Sequence, residues 1–320
     1  MVQNKIKRIP VFYASDENYA KPLTVSMYSV LANTTHHIDF YILENDIKSE
    51  TKEIIQKSLS CFDNFTITYL QLDEKDVLKS FPVMRHFTIC NYFRYFMPEL
   101  CPNIKKCVYL DVDTIVRHDI CELYSINLGK YSIGAVGESV VNEKPYIQER
   151  IRNLELNPKH VYFCSGIMLM NLEKCRAQDV TNKLIKLTEE NWYLIKYVDQ
   201  DILNILFDNN QYKNIDLDWG REIWQLSIDV QKKKSIIKKC KIIHYDGEKK
   251  PWNQKCWFDG YFWLYAKKTL FYTKPSFFKI IGSFVRYVFC ISKNRKKYKK
   301  EYQQNKTAFA AYNRKFDSGL

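Results

Sequence analysis

Two carboxylates stand directly after an apolar segment in the string Val108-Tyr109-Leu110-Asp111-Val112-Asp113. On an extended chain this spacing places Asp111 and Asp113 on one face, where two like charges are costly unless a cation lies between them. Because oxygen ligands suit Mg²⁺ and Mn²⁺, the pair is predicted to hold a divalent ion that bridges a diphosphate. The alternative is a solvated acidic loop, since residues 199–201 and 216–218 share the spacing.

A second candidate is the segment 244–252, which begins with His244 and follows two isoleucines. A neutral imidazole can supply a third metal ligand, and its nitrogen favours manganese. Gly247 permits close approach of the backbone to a ligand, and Lys250 offers a positive charge to phosphate. The alternative is a lone surface histidine in a basic loop.

A third candidate follows the first apolar segment of the chain, at residues 14–19. Asp16 and Asn18 offer hydrogen-bonding groups to a uracil edge, and Tyr19 offers an aromatic face for stacking. Ser15 or Asp16 is equally suited to cap the next helix, and the two roles are compatible.

Short apolar segments that alternate with amphipathic stretches must position these residues. Strands are predicted at 9–14, 40–43, 65–70 and 107–110, and helices at 23–31, 49–59 and 88–96. This alternation predicts an α/β fold in which a mostly parallel central sheet is flanked by helices. Ligands bind beyond the carboxyl ends of the strands in such sheets, which is where the candidate segments fall.

The composition limits how the protein can bind a nucleotide and indicates the cellular compartment to expect. The chain has nine glycines and no glycine-rich phosphate-binding motif, so any nucleotide must be held by other means. Its ten cysteines are scattered singly, and the first ten residues lack the apolar stretch of a secretory signal. A reducing, cytoplasmic compartment is therefore expected.

The basic charge is concentrated at the end of the chain. The net charge is +13, of which residues 274–320 carry +10 with twelve basic and two acidic residues. An amphipathic helix is predicted at 276–291, and a basic run follows it at 293–300. This combination predicts peripheral binding to an anionic membrane on its cytoplasmic face, with no nucleic acid as partner. The alternative is a helix packed on the core. The chain is thus divided into a catalytic domain, 1–265, and a membrane-associating region, 266–320.

Five segments, in this order and spacing, resemble the family 8 glycosyltransferases, retaining enzymes of the GT-A fold. That family includes bacterial lipopolysaccharide galactosyl- and glucosyltransferases and the glycogenins. The resemblance covers residues 9–257. The segments that carry it are Ala14-Ser15-Asp16-Glu17-Asn18-Tyr19, Tyr92-Phe93-Arg94, Asp111-Val112-Asp113, Asp199-Gln200-Asp201 and 244–252.

The resemblance implies a role for each matching residue. Those that would hold the nucleotide and its diphosphate are Ala14, Asp16, Asn18, Tyr19, Arg94, Val112, Gly247 and Lys250. Those that would bind manganese, with magnesium as the other option, are Asp111, Asp113 and His244. Asp199 would recognise hydroxyl groups of the donor sugar, and Gln200 would lie close to the anomeric carbon.

Two positions depart from the family pattern, and both fall where sugar hydroxyls would be read. Cys164 replaces a usual asparagine, and a thiol cannot form the paired hydrogen bonds of an amide. Glu138 replaces a usual aspartate. The choice between galactose and glucose, or an N-acetylated sugar, is therefore left open.

The function expected from these residues is transfer of a hexose from a UDP-sugar, with retained configuration, to a glycan or lipid-linked oligosaccharide. Lipopolysaccharide or other cell-surface glycan synthesis is the expected setting. The charge that develops on the departing UDP would be stabilised by the divalent cation and Lys250. Retention would proceed by front-face attack, with Asp199 as nucleophile of a double displacement as the alternative. The competing class is a catalytically weakened membrane or nucleic-acid adaptor.

Overall fold

The computed structural model describes residues 7–72, 78–83, 88–137, 145–222, 230–272, 281, 284–285, 288 and 295–313. Its strands are β1 (Arg8–Asp16), β2 (His37–Asn45), β3 (Phe65–Gln71), β4 (Lys106–Leu110), β5 (Thr114–Val116), β6 (Ile133–Gly137), β7 (Phe163–Asn171), β8 (Lys213–Asn214), β9 (Arg221–Glu222) and β10 (Ile242–His244). Its α-helices are α1 (Ala20–Leu31), α2 (Ser49–Leu59), α3 (Met97–Leu100), α4 (Ile120–Tyr124), α5 (Pro145–Asn153), α6 (Leu172–Ala177), α7 (Val180–Asn191), α8 (Val198–Leu206), α9 (Val230–Lys239), α10 (Asp259–Ala266) and α11 (Arg295–Asn313). Short 3₁₀ helices lie at Glu17–Tyr19, Ile89–Phe96 and Leu217–Trp219.

The central sheet has seven strands in the order β3-β2-β1-β4-β7-β6-β8. Strands β1 to β4 run parallel, whereas β7 is antiparallel to both β4 and β6. The predicted fold, a mostly parallel sheet flanked by helices, is therefore confirmed. The reversal at β7 matters for the site, because it brings the start of β7 beside the end of β4.

Strands β1, β2, β4, β6 and β7 are largely buried on both faces, which explains why they read as apolar segments, whereas the edge strands β3 and β8 are partly exposed. Successive side chains of a strand point to opposite faces. Phe12 of β1 accordingly packs on one side with the aromatic residues of Ile89–Phe96. Its neighbours Val11 and Tyr13 pack on the other side against α1.

A second sheet of three strands, β5-β10-β9, stands next to the carboxyl end of β4. Strand β10 is antiparallel to β5, and His244 pairs with Thr114. The amide of Tyr245 donates to the carbonyl of Asp113 at 2.9 Å. The small sheet therefore fixes a distant histidine beside the acidic turn.

One predicted helix has a different form, since residues 89–96 are 3₁₀ rather than α. A capping box holds its start, where the side chain of Asn91 accepts from the amide of Thr88 at 3.1 Å. Pro98 follows within the first turn of α3, where a missing amide donor costs nothing. The tight turns aim Arg94 inward, under the end of β4.

The C-terminal region is described only in part, and most of the predicted helix at 276–291 lies outside the described residues. Ile281, Phe284, Val285 and Val288 are helical and each more than two-fifths exposed. Helix α11 contacts α10, and Gln304 donates to the side chain of Asn253 at 3.2 Å. The boundary predicted at 265 falls inside α10 and stays a prediction. Among the helices of the described ranges, none has the length and apolar character needed to cross a bilayer.

Candidate functional site

A cavity of about 730 Å³ opens at the carboxyl ends of β1 and β4. This volume falls in the range of pockets that bury small ligands and cofactors. The three candidate segments from the N-terminal strand, the acidic turn and the histidine loop all contribute to its wall. Of the residues predicted for the site, those that line the cavity are Ala14, Asp16, Tyr19, Arg94, Asp111, Val112, Asp113, Cys164, Asp199, Gln200, His244, Gly247 and Lys250.

Two predicted residues are not placed in this wall. Asn18 is exposed and does not line the cavity, and its backbone amide donates to the side chain of Asp16. Glu138 lies outside the described residues. The contacts of both residues with a ligand therefore stay predictions.

The two acids and the histidine converge on one point. Nε2 of His244 lies 3.1 Å from Oδ1 of Asp113 and 3.7 Å from Oδ2 of Asp111. The three candidate ligand atoms all lie within 4.8 Å of one another. Oδ1 of Asp113 is buried and accepts no hydrogen bond from any described residue. A buried carboxylate oxygen without a donor, beside an imidazole nitrogen, fits the ligand set of a divalent cation.

The acidic turn is supported from below by buried hydroxyl groups. The amide and the hydroxyl of Thr114 both donate to the carbonyl of Asp111, at 3.2 and 2.8 Å. The hydroxyl of Ser26 lies 2.9 Å from those of Thr114 and Tyr13. Since buried polar groups are costly to leave unpaired, this series of hydrogen bonds holds the turn in one conformation.

Arg94 bridges the acidic turn and the start of α8. Its side chain is 2% exposed, with Nη2 at 2.9 Å from Oδ1 of Asp111 and Nε at 3.1 Å from Oδ2 of Asp199. The guanidinium also lies 4.2 Å from the ring centre of Tyr109, whose hydroxyl donates to Asp111. Burial opposes the charged form, but Asp199 and the other neighbours hold the pKa of Arg94 above its ordinary value. Arg94 therefore fixes the orientation of Asp111.

Lys250 reaches the other acid of the pair. Its ammonium pairs with Oδ2 of Asp113 and donates to the carbonyl of Tyr245 at 2.8 Å. Although burial disfavours the charged carboxylate, Lys250 and His244 hold the pKa of Asp113 below its usual range. Burial likewise disfavours the imidazolium, but Asp113 and Cys164 raise the pKa of His244. The buried ammonium of Lys250 is thus held beside Asp113.

Asp199 and Gln200 lie at the N-terminal end of α8. Asp199 is 1% exposed, and its burial raises its pKa to about 7 despite the opposing charge of Arg94. The side-chain oxygen of Gln200 accepts from the amide of Ser165 at 3.1 Å. Asp201, the next acid, is directed away from the cavity and pairs with Arg150 at 2.7 Å. Of the three residues 199–201, Asp199 and Gln200 thus line the cavity, whereas Asp201 does not.

Cys164 lies in the wall beside the histidine. Its sulfur is 3.6 Å from Nδ1 of His244, on the opposite side of the ring from the acids. The same sulfur lies 3.5 Å from the amide nitrogen of Gly166. A metal-binding histidine usually has a partner at its second nitrogen that fixes the ring, and here that partner is a thiol.

The first candidate segment combines a cap with a cavity wall. Oδ1 of Asp16 accepts from the amides of Asn18 and Tyr19, at 2.9 and 3.1 Å, and so caps the helix Glu17–Tyr19. The predicted capping role is confirmed for Asp16. The ring of Tyr19 meets that of Trp252 edge to face, with centres 6.4 Å apart. Gly247 has a φ of 75°, in the left-handed region that favours glycine.

Several residues of the site were not singled out by the sequence. Gly166 lies so close to the acids that a Cβ there would be 2.4 Å from Cε1 of His244 and 2.7 Å from Oδ2 of Asp111. Tyr109 contacts both Arg94 and Asp111. Tyr146 and Tyr197 line the cavity from α5 and from the loop before α8. A glycine two residues after Cys164 is visible in the sequence, but nothing in the sequence shows that a side chain there would collide with Asp111 and His244.

Known proteins share this chain's sequence pattern and fold. The profile of the family described as Glycosyl transferase family 8 matches residues 10–256. A Haemophilus influenzae relative, named as a glycosyltransferase without a stated substrate, is 31% identical over 255 residues, 77% of this chain and 73% of that protein. A relative from Escherichia coli, named lipopolysaccharide 1,2-glucosyltransferase, is 28% identical over 264 residues, 78% of this chain and 75% of that protein. The galactosyltransferase LgtC, crystallised with donor and acceptor sugar analogues, shares the fold with a TM-score of 0.71 at 24% identity, over 84% of this chain and 98% of that chain.

Proposed function

Since the chain belongs to glycosyl transferase family 8, we propose that it moves a hexose from a UDP-sugar to a glycan with retention of configuration. The observation that carries this proposal is the convergence of Asp111, Asp113 and His244 at one end of a cavity large enough for a nucleotide sugar. Glucose and galactose are the candidate hexoses, because relatives and structural neighbours are named for transfer of each.

The proposed cofactor is Mn²⁺, with Mg²⁺ as the alternative. Two carboxylate oxygens and one imidazole nitrogen form a mixed donor set, which suits manganese better than magnesium. When bound, the ion supplies positive charge to the diphosphate as the sugar leaves. Lys250 adds a second positive charge from the protein itself. Both act on the group that becomes negative, which is where electrostatic stabilisation lowers the barrier.

Front-face attack is the proposed route to retention. In a double displacement, Asp199 would have to act as a nucleophile while it is buried and paired with Arg94. A carboxylate that is desolvated, shared with a guanidinium and partly protonated near pH 7 is a weak nucleophile. Asp199 is better suited to accept hydrogen bonds from sugar hydroxyls, while the leaving phosphate takes the acceptor's proton.

The proposed acceptor is a glycan or a lipid-linked oligosaccharide of the cell surface, as in lipopolysaccharide synthesis. The name of the Escherichia coli relative supports this setting. The exposed apolar positions of the C-terminal region support peripheral attachment to the cytoplasmic face of a membrane, where a lipid-linked acceptor would be met.

The experiment that tests the function is a panel of UDP-sugars incubated with the protein and Mn²⁺ and scored for UDP release. Release from UDP-glucose or UDP-galactose is expected, and it should be lost on chelation and in Asp113→Asn. The matched control is Asp218→Asn, which changes an aspartate of another Asp-x-Asp string outside the cavity wall. Absence of UDP release from every sugar of the panel would refute the proposal.

A further inference from the structure

The connection between α7 and α8 places a second feature next to the cavity. The two helices pack against each other and are joined by residues 192–197. Because the connection is short, the end of α7 and the start of α8 lie at the same end of the molecule. The start of α8 carries Asp199 and Gln200 in the cavity wall. The connection therefore ends at the cavity wall, which Tyr197 lines.

Two large aromatic side chains at the start of this connection face solvent. Trp192 is 62% exposed and Tyr193 is 65% exposed, the highest values among large apolar side chains in the described ranges. Their ring centres are 6.1 Å apart, and the planes meet at 83°. Exposed aromatic residues of this size, side by side, are typical of binding surfaces.

The backbone beneath the pair is held in place. Nη2 of Arg150 donates to the carbonyl of Leu194 at 2.8 Å. The amides of Lys196 and Tyr197 both donate to Oδ2 of Asp201 at 2.7 Å, and Asp201 is fully buried. A surface on a fixed backbone loses little conformational entropy when it binds a ligand.

The residues that follow this pair along the chain lead to the cavity wall. Leu194, Tyr197 and Tyr146 pack against the same apolar cluster, and both tyrosines line the cavity. The four-residue step from Tyr193 to Tyr197 spans at most about 14 Å. The pair is therefore within reach of an oligosaccharide that extends out of the cavity.

We propose that Trp192 and Tyr193 form an outer acceptor subsite, which stacks on sugar rings remote from the one that receives the hexose. The inference rests on the proposed function and adds that the acceptor is an oligosaccharide. Hexose rings present flat C–H faces, which pack on aromatic rings, and the indole N–H and phenol O–H suit the sugar hydroxyls at the edge. Residues 189–197 contain two acids, of which Glu190 pairs with Lys186 at 3.7 Å, and one lysine, so the segment lacks the cluster of basic residues that an anionic lipid surface would favour.

The test uses an array of immobilised neutral oligosaccharides of one to six hexoses, probed with the full chain in UDP and Mn²⁺. Retention of the protein should increase with the length of the glycan. The double variant Trp192→Ala/Tyr193→Ala should bind these about tenfold more weakly, while its UDP-sugar hydrolysis is unchanged. The control is Trp257→Ala, which removes a tryptophan that is 52% exposed and does not line the cavity.

Equal retention of the double variant and the unaltered chain would overturn this subsite, and so would no retention of the unaltered chain on any oligosaccharide. A double variant that keeps glycan binding and loses binding to anionic vesicles would overturn it in favour of a membrane surface. Failure of the proposed function would be distinguished by the hydrolysis assay, which does not depend on the acceptor.

Discussion

Gly166 shows how little room the site leaves around its acids. The residue belongs to β7, and its carbonyl accepts from the amide of Asp111 at 2.7 Å. A side chain at this position would occupy the space in which Asp111 and His244 face each other. The glycine is therefore required by close packing of the two candidate metal ligands, not by backbone conformation.

Gly166→Ala is expected to weaken Mn²⁺ binding by at least tenfold, because the added methyl separates Asp111 from His244. The measurement is a titration of free Mn²⁺ by electron paramagnetic resonance with UDP present. Circular dichroism at the same temperature verifies that the variant is folded. Unchanged affinity in a folded variant would show that these two side chains do not share an ion.

Cys164 offers a second test at the scale of one residue. Asparagine would restore both a hydrogen-bond donor and an acceptor at the position where the family resemblance implies contact with the donor sugar. We expect Cys164→Asn to change the ratio of kcat/KM for UDP-glucose and UDP-galactose by several-fold, with little change in Mn²⁺ affinity. Cys164→Ser is the control, since it keeps the size of the side chain. An unaltered ratio in both variants would remove Cys164 from sugar selection.

At the scale of elements, Asn204 of α8 ties that helix to the start of β7. Its side chain accepts from the amide of Phe163 at 2.9 Å and donates to the carbonyl of Phe163 at 3.0 Å. Nε2 of His160 is 2.9 Å from the same side-chain oxygen. These bonds place Gln200 and the Cys164–Gly166 stretch side by side, so the site depends on this junction.

His160 makes the junction sensitive to acid. Burial lowers its pKa below the ordinary value, although Asn204 and Asp208 counteract this. Below about pH 6.5 the unfolded chain thus binds more protons than the native one, and stability falls as the pH decreases. The loss is at most about 1.4 kcal/mol per pH unit.

The variant His160→Gln should show a smaller loss of stability between pH 7 and pH 5 than the unaltered chain. Urea unfolding at several pH values measures this difference. His118→Gln is the matched control, because it removes an exposed histidine outside this junction. Parallel curves for all three chains would contradict a neutral, buried His160.

The sequence predicts the elements better than it predicts their pairing. Apolar segments mark β1 to β4, and the carboxyl ends of β1 and β4 mark the site. The antiparallel direction of β7 has no local signal, and neither does the pairing of β5 with β10. His244 reaches Asp113 only through that pairing, across more than a hundred residues of chain. The residues alone offered His244 as a candidate third ligand, and the family resemblance implied its position beside the acids.

Arg94 illustrates the same limit. The sequence places it in an apolar stretch, where a charged residue is costly unless it is paired. Its two partners, Asp111 and Asp199, lie on different elements. Only the folded sheet brings the three together, so the ion-pair bridge could not be read from spacing.

For the whole molecule, charge and exposed apolar surface are both concentrated toward the C-terminus. Residues 274–320 carry +10 of the net +13. The exposed positions 281, 284, 285 and 288 recur at helical spacing and thus share one face. The ring of Phe284 lies 5.2 Å from that of Tyr302 on the basic helix α11. Apolar and basic groups at one end of the chain fit the proposed attachment to an anionic membrane.

The triple variant Ile281→Ser/Val285→Ser/Val288→Ser should lower binding to vesicles with anionic lipid by about tenfold or more, because it removes apolar side chains that enter the interface. Release of UDP from the donor should stay the same. Leu270→Ser is the control, since Leu270 is 53% exposed and lies outside this helical face. Sedimentation with vesicles measures the effect, and full binding by the triple variant would contradict membrane attachment through this surface.

The most direct measurement of the central claim is an anomalous difference map at the manganese edge, from crystals soaked with UDP and MnCl₂. We expect one strong peak within coordination distance of Asp111, Asp113 and Nε2 of His244, with the diphosphate on its far side. UDP bound in the cavity with no peak among these three side chains, or with the ion held elsewhere, would contradict the account.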